Sequence, residues 1–516
     1  MKKHVVLLVW LVCSLQASAA LTLNGLFGDN MVLQRGKPVP VWGTADAEEQ
    51  VTVEFGGRKK TAQADPGGNW RVDLDALDTS SEPRDLVVSS TNPAETRKIR
   101  GVLVGEVWIC SGQSNMQRQL GRLWENERPL VNWEAEVASA NYPMIRHIAV
   151  PREKSDTPRA DILGHWDVCS PATAPKFTAV GYYFGRDLFK RLNVPIGLIH
   201  TSWGGSPAEA WTPREALEKQ LPEILAAQQK EIETYPARLA KFKADEPALL
   251  AAWEKAAAEA RAAGKKPREK PKAPENPVET HRRPACLYNG MVMPLIPYAM
   301  RGVIWYQGEG NSGRAQQYRT LFPLLIAQWR DAWRQGDFPF LFVQLAPYKG
   351  NSPGLREAQL MTWKTVPSTA MVVTTDVGDA EDVHPTNKEP VGQRLALAAR
   401  ALVYGEKIEY SGPVFDSMKV NGNSAVLTFS HVGGGLAAKG GDLRGFTIAG
   451  TDMKFVPAKA VIRGKTVVVS SEQVPSPVAV RYGWAPVPDV NLVNAEGLPA
   501  SPFRTDEDSI PAQGKK

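Results

Sequence analysis

Five short apolar runs, at 101–110, 196–200, 302–306, 339–345 and 370–375, restrict the fold of this chain more than any other feature of its sequence. Polar residues scarcely interrupt them, which is how a strand covered on both faces reads. Stretches of helical character lie between them, as at 182–191 and 318–333. Short apolar strands alternating with helices build a parallel α/β sheet, and ligands of such sheets bind beyond the carboxyl ends of the strands. The residues that follow each run are therefore where chemistry is to be sought.

The texture differs on either side of this core. Residues 20–100 hold short alternating segments, at 39–43, 51–55 and 70–74, with Gly56-Gly57 and Asp65-Pro66-Gly67-Gly68-Asn69 as turns; they predict a small β-sandwich. Alternation returns after about residue 406, at 424–429, 466–470 and 478–482, and predicts a second small β-domain over 406–516. Segment 214–283 interrupts the α/β pattern. It has 15 Lys/Arg and 12 Asp/Glu among 70 positions and ends in a Pro-rich stretch, so it reads as a solvated helical insertion with a connector. The α/β core is then expected in two parts, 101–213 and 284–405.

The first 19 residues have the layout of a secretory signal peptide. Lys2 and Lys3 precede an apolar run from Val5 to Leu15, and Ala17-Ser18-Ala19 is a small-residue cleavage signal. The run is too short to span a bilayer. A secreted or periplasmic protein is expected, cut after Ala19. Cys13 would leave with the leader, and Cys110, Cys169 and Cys286 allow at most one disulfide. The formal net charge of +6 over 516 residues is no nucleic-acid footprint.

Four strand-end segments carry side chains suited to catalysis. Ser111-Gly112-Gln113-Ser114-Asn115-Met116 places a serine on a strand-to-helix turn, where its hydroxyl is exposed and backbone N–H groups face outward. It is not GxSxG, and a serine there also serves as an ordinary helix cap. Ser202-Trp203-Gly204-Gly205-Ser206 allows close backbone approach, as any tight turn does. Tyr306-Gln307-Gly308-Glu309-Gly310-Asn311 offers an amide donor, and is also a plausible plain turn. The stretch from Asp376 to Pro385 holds Asp376, Asp379, Glu381, Asp382 and His384. A histidine with a carboxylate to orient it suits a general base, although an acidic surface loop or a Ca²⁺ or Mg²⁺ site has the same composition. His200, at a strand end, is the rival base but has no acid beside it in sequence. Jointly the four segments supply a nucleophile, oxyanion donors and a base, the set that acyl transfer requires.

In this order the motifs Gly-Gln-Ser114-Asn-Met, Trp-Gly204-Gly205-Ser, Tyr-Gln-Gly-Glu-Gly-Asn311 and Asp-Val-His384-Pro look like the SGNH-hydrolase pattern. More closely, the chain resembles the sialate O-acetylesterase family. Leu26-Phe27-Gly28-Asp29-Asn30-Met31-Val32-Leu33-Gln34 near the start and the stretch from Asn491 to Ala500 near the end add to the likeness, which covers nearly the whole mature chain. The resemblance implies a flavodoxin-like three-layer core and removal of O-acetyl groups from sialic acids without a metal or other cofactor. It implies Ser114 as nucleophile and His384 as base. It also implies an oxyanion hole made of the Ser114 N–H, a glycine N–H at Gly204–Gly205 and the Asn311 side chain. Many SGNH enzymes place the acid three residues before the histidine. Here that position is Glu381, and Asp382 stands two before; Asp382 is the expected partner of His384, with Glu381 the alternative. Gln113, Gln307 and Glu309 are the candidate substrate contacts, with acetylated sialic acid or a sialoglycan as the expected partner. Two other readings fit the sequence: an esterase of acetylxylan or another polysaccharide, and a secreted glycan-binding protein with an inert core.

Overall fold

The computed structural model describes residues 20–91, 94–122, 127–265 and 267–506. The expected leader, 1–19, lies outside them. The apolar runs form the parallel sheet that their composition predicts. Its strands are β1 (Thr96–Gly112), β2 (Tyr142–Ala149), β3 (Trp166–Cys169), β4 (Ile196–Ser202), β5 (Gly302–Tyr306), β6 (Phe340–Val343) and β7 (Thr369–Val372). They lie in the order β7-β6-β5-β1-β4-β2-β3, all parallel except β3, which runs antiparallel to β2.

Side chains of these strands alternate between two apolar clusters, which fixes a layer of helices on each face. Trp108, Cys110, Ile304, Tyr306, Leu341 and Val343 belong to one cluster, with helices α2 (Ala179–Leu192) and α6 (Glu389–Leu402). Val107, Ile109, Val303, Trp305, Phe340 and Phe342 belong to the other, with α4 (Ala315–Trp333) and α5 (Pro353–Thr365). The result is a three-layer α/β core of the kind expected. Cys110, Cys169 and Cys286 are buried thiols.

β1 is longer than its apolar run. Its first half pairs with the strand Ser80–Ser90 and with Val32–Gln34, and its second half with β4 and β5. The expected boundary between residues 100 and 101 thus falls inside one continuous strand. After residue 406 come small antiparallel sheets over a separate apolar cluster that includes Leu427, Ile448, Val467 and Phe503. Between β4 and β5 the chain forms the helix α3 (Pro222–Ala262), 41 residues long, of which Ile224 and Ala257 are the buried positions. No helix among the described residues is long and apolar enough to cross a membrane.

Candidate active site

The strand order reverses at β1, because the chain adds β2 to β4 on one side of it and β5 to β7 on the other. Such a switch point opens a crevice at the carboxyl edge. β1 ends at Gly112, whose φ is +135°. A Cβ there would stand 2.2 Å from the Tyr306 carbonyl oxygen, so only glycine lets β1 and β5 close at this point. The chain then turns, and Ser114 opens the one-turn helix α1 (Ser114–Gln117), which leaves its N–H without an intrahelical acceptor. Trp203 to Ser206 follow β4, Gln307 to Asn311 follow β5, and His384 lies in the loop between β7 and α6.

These segments enclose a cavity of about 900 Å³, and Ser114, His384, Gly204, Gly205, Gln113 and Glu309 are among its lining residues. The Oδ1 atom of Asp382 accepts the backbone N–H of His384 at 2.9 Å and stands 3.7 Å from its ring Nδ1. Its Oδ2 faces Arg128 at 3.3 Å. Glu381 turns away and pairs with Lys349. Burial, followed by the Lys388 ammonium, holds the His384 imidazole below its ordinary pKa; Asp382 opposes them and Arg118 adds to them. The ring is therefore neutral at neutral pH, the form that accepts a proton.

Two expected contacts take another place. Asn311 is buried, and its amide nitrogen donates to Glu209 at 2.8 Å while its oxygen accepts from Ala208 and Gln307. One of its two amide hydrogens is thus committed to a carboxylate, and Asn311 is not among the residues that line the cavity. Gln307 is also fully buried, bonded to Ser206, Asn311 and Tyr318, and stands behind the cavity rather than in its wall. Gln113 does reach the cavity, where its side-chain oxygen accepts from Gly310 at 3.1 Å and so ties the loop after β5 to the serine turn. The Gly204 N–H donates to Gln117 at 2.5 Å. The Gly205 N–H has no partner among the described residues, and Gly205 adopts φ +73°. His200 is buried against His147, 2.6 Å from the Ser202 hydroxyl, and burial pushes its pKa down to about 4. It does not line the cavity.

The sequence reading missed the buried network beneath the serine. Asn115 donates to Glu309 at 2.6 Å and to the Val383 carbonyl at 3.0 Å, and accepts from Lys388 at 2.5 Å. Lys388 is buried, its Nζ 5.3 Å from the centre of the Tyr306 ring, and burial pushes its pKa down to about 7. Arg118 pairs with Glu127 at 3.2 Å and reaches the His384 carbonyl at 3.4 Å. The one local signal was the place of Lys388, just before the helix that follows His384-Pro385.

A three-layer α/β core with a serine, a histidine and free backbone donors around one cavity at its switch point belongs to the class of α/β ester hydrolases. Comparison with known proteins narrows the class. The family model for "Carbohydrate esterase, sialic acid-specific acetylesterase" matches residues 104–239 and 279–401. The sialate O-acetylesterase of Rattus norvegicus is 30% identical over 443 residues, 78% of this chain and 77% of its own length. That of Homo sapiens is 28% identical, over 78% of this chain and 75% of its own. The crystal structure of a carbohydrate acetylesterase from Xanthomonas citri is 37% identical and superposes with a TM-score of 0.78, covering 94% of this chain and 100% of that one. The chain belongs to the sialic acid-specific acetylesterase family and is a carbohydrate acetylesterase, a carboxylic ester hydrolase. The alternative of an inert glycan-binding protein is set aside.

Proposed function

We propose that this chain is an exported esterase that removes O-acetyl groups from sialic acids through an acyl-enzyme on Ser114. The observation that carries the reading is the meeting of Ser114 and His384, distant in sequence, in the wall of one cavity beside the Gly204–Gly205 turn. The Ser114 hydroxyl attacks the acetyl carbonyl while His384 takes its proton, with Asp382 beside the ring to orient it and favour the imidazolium. The tetrahedral oxyanion lies on the N–H groups of Ser114 and Gly205. His384 then protonates the departing sugar oxygen, and a water deprotonated by His384 releases acetate from acetyl-Ser114. Export rests on the leader-like first 19 residues.

A second reading is hydrolysis of acetylxylan or another neutral polysaccharide. It is favoured by the likeness to a protein described simply as a carbohydrate acetylesterase. Acetate release from mono-O-acetylated sialic acids, measured beside release from acetylated xylan, separates the two. The sialate ester is expected to be the better substrate; release from xylan alone would transfer the assignment to neutral polysaccharides.

A further inference from the structure

The charges around the cavity do not balance. Arg152, Arg282 and Arg314 line it, and so do Glu209 and Glu309. Glu209 is engaged by Arg314 at 2.6 Å and by Asn311 at 2.8 Å. Glu309 accepts from Asn115, and burial raises the pKa of its carboxyl group, which weakens it as an anion. Arg152 and Arg282 are left, both exposed, and among the described residues neither guanidinium forms an ion pair with a carboxylate. Two unneutralised guanidiniums facing one cavity favour an anionic ligand.

Their placement is specific to the reaction centre. Arg282 Nη2 lies 3.1 Å from where a Cβ of Gly205 would stand, and the Ser114 Cβ lies 3.2 Å from the corresponding point on Gly204. The guanidinium and the serine thus flank the same dipeptide. The side chain before Arg282 anchors it: His281 stacks on Trp203 with ring centres 4.6 Å apart and planes 4° apart, and its Nε2 is 2.9 Å from the Gly204 carbonyl. The Arg152 guanidinium stands 5.8 Å from the centre of the same Trp203 ring. The aromatic pair therefore holds two arginines from distant parts of the chain on one wall. Arg152 follows β2, and Arg282 ends the return from the long helix α3.

We propose that Arg152 and Arg282 form a carboxylate-binding wall of the catalytic cavity, which takes the carboxylate of an acetylated sugar acid while its ester meets Ser114. The proposal rests on the sialate reading above, in which that group is the sialic acid carboxylate. Planar guanidiniums suit a carboxylate because each presents paired donors in one plane, whereas a neutral sugar offers them hydroxyl acceptors but no countercharge.

The test is inhibition of para-nitrophenyl acetate hydrolysis by N-acetylneuraminate and by its methyl ester, which differ only in the carboxylate. The wild-type protein is expected to bind the free acid about tenfold more tightly than the ester, and the Arg152→Gln/Arg282→Gln double variant to bind both alike. Because the readout is a ratio within each protein, a general change in activity or folding does not imitate it. Equal inhibition by acid and ester in the wild type, or an unchanged ratio in the double variant, overturns the wall. Acetate release from acetylated sialic acid is scored separately. Release with a ratio of one keeps the sialate reading and removes the wall, whereas a wild-type preference for the acid that the double variant loses, without release, keeps the wall and removes the reading. Galacturonate as inhibitor, if it shows the same dependence on the two arginines, extends the wall to uronic acids.

Discussion

Ser114 and Lys388 face the site from opposite sides, one on the cavity and one buried beneath it through Asn115. Among the described residues the Ser114 side chain takes no part in a hydrogen bond, so Ser114→Ala is expected to lower acetate release by about 10³-fold or more while the thermal transition stays in place. A variant that still turns over acetyl esters would remove Ser114 as nucleophile. Lys388 acts by position and field. Its ammonium holds Asn115, which holds the Val383 carbonyl next to His384, and it is one of the groups that lower the His384 pKa. The base works unprotonated, so the acidic limb of the rate profile is expected below the ordinary imidazole value. Lys388→Met removes a positive charge that disfavours imidazolium, which raises the His384 pKa and moves that limb to higher pH. Burial lowers the Lys388 pKa only to about 7, so its ammonium is present on an acidic limb that lies below the ordinary imidazole value. A pH profile of kcat/KM on para-nitrophenyl acetate reads the shift; a limb that stays or moves to lower pH contradicts the assigned field.

Among the elements, the junction of β1 and β5 sets the geometry of the serine turn. Gly112→Ala would bring a Cβ within 2.2 Å of the Tyr306 carbonyl and strain a φ of +135°. The expected loss is about 1–3 kcal/mol in denaturant unfolding, as for other overpacked positions, together with loss of esterase activity. Unchanged stability would mean that the two strands part easily here. The strands of this junction were legible in the sequence because burial on both faces leaves nearly continuous apolar runs. β2 was not, since Pro143, Arg146 and His147 break its run, and its pairing with β4 and β3 reveals it as a strand. Arg152 was missed for the same reason: a search confined to recognised strand ends never reaches it. The serine, the paired glycines and the histidine were legible because each follows a recognisable strand or precedes a helix. Asn115–Lys388 and Trp203–His281 were not, because each pair is joined only by tertiary packing. The same limit affected Asn311, one of whose two amide hydrogens folding commits to Glu209.

For the whole molecule, the continuity of β1 decides how the parts depend on one another. One apolar cluster runs from Val39 and Val53 in the N-terminal strands to Trp305 and Phe342 in the catalytic layer. At the middle of β1, the fully buried carboxylate of Glu106 receives Arg35 at 2.5 Å from the N-terminal strands and Arg301 at 2.6 Å from the approach to β5. Glu106 therefore ties the N-terminal strands to the central strands of the catalytic sheet. Glu106→Leu leaves both guanidiniums without their acid. They keep 29% and 23% side-chain exposure and so retain some water, which puts the expected loss at roughly 3 kcal/mol, the lower end for a broken buried pair. Because the apolar cluster is shared, this loss is expected to lower the unfolding of the N-terminal strands and of the active site together. Trp42 and Trp70 report the former and esterase activity the latter, so single-Trp variants followed in urea read both. Coincident midpoints, shifted equally by Glu106→Leu, are the expected result. If the N-terminal signal melts first while activity persists, β1 does not couple the two regions, and residues 20–100 unfold independently of the catalytic sheet.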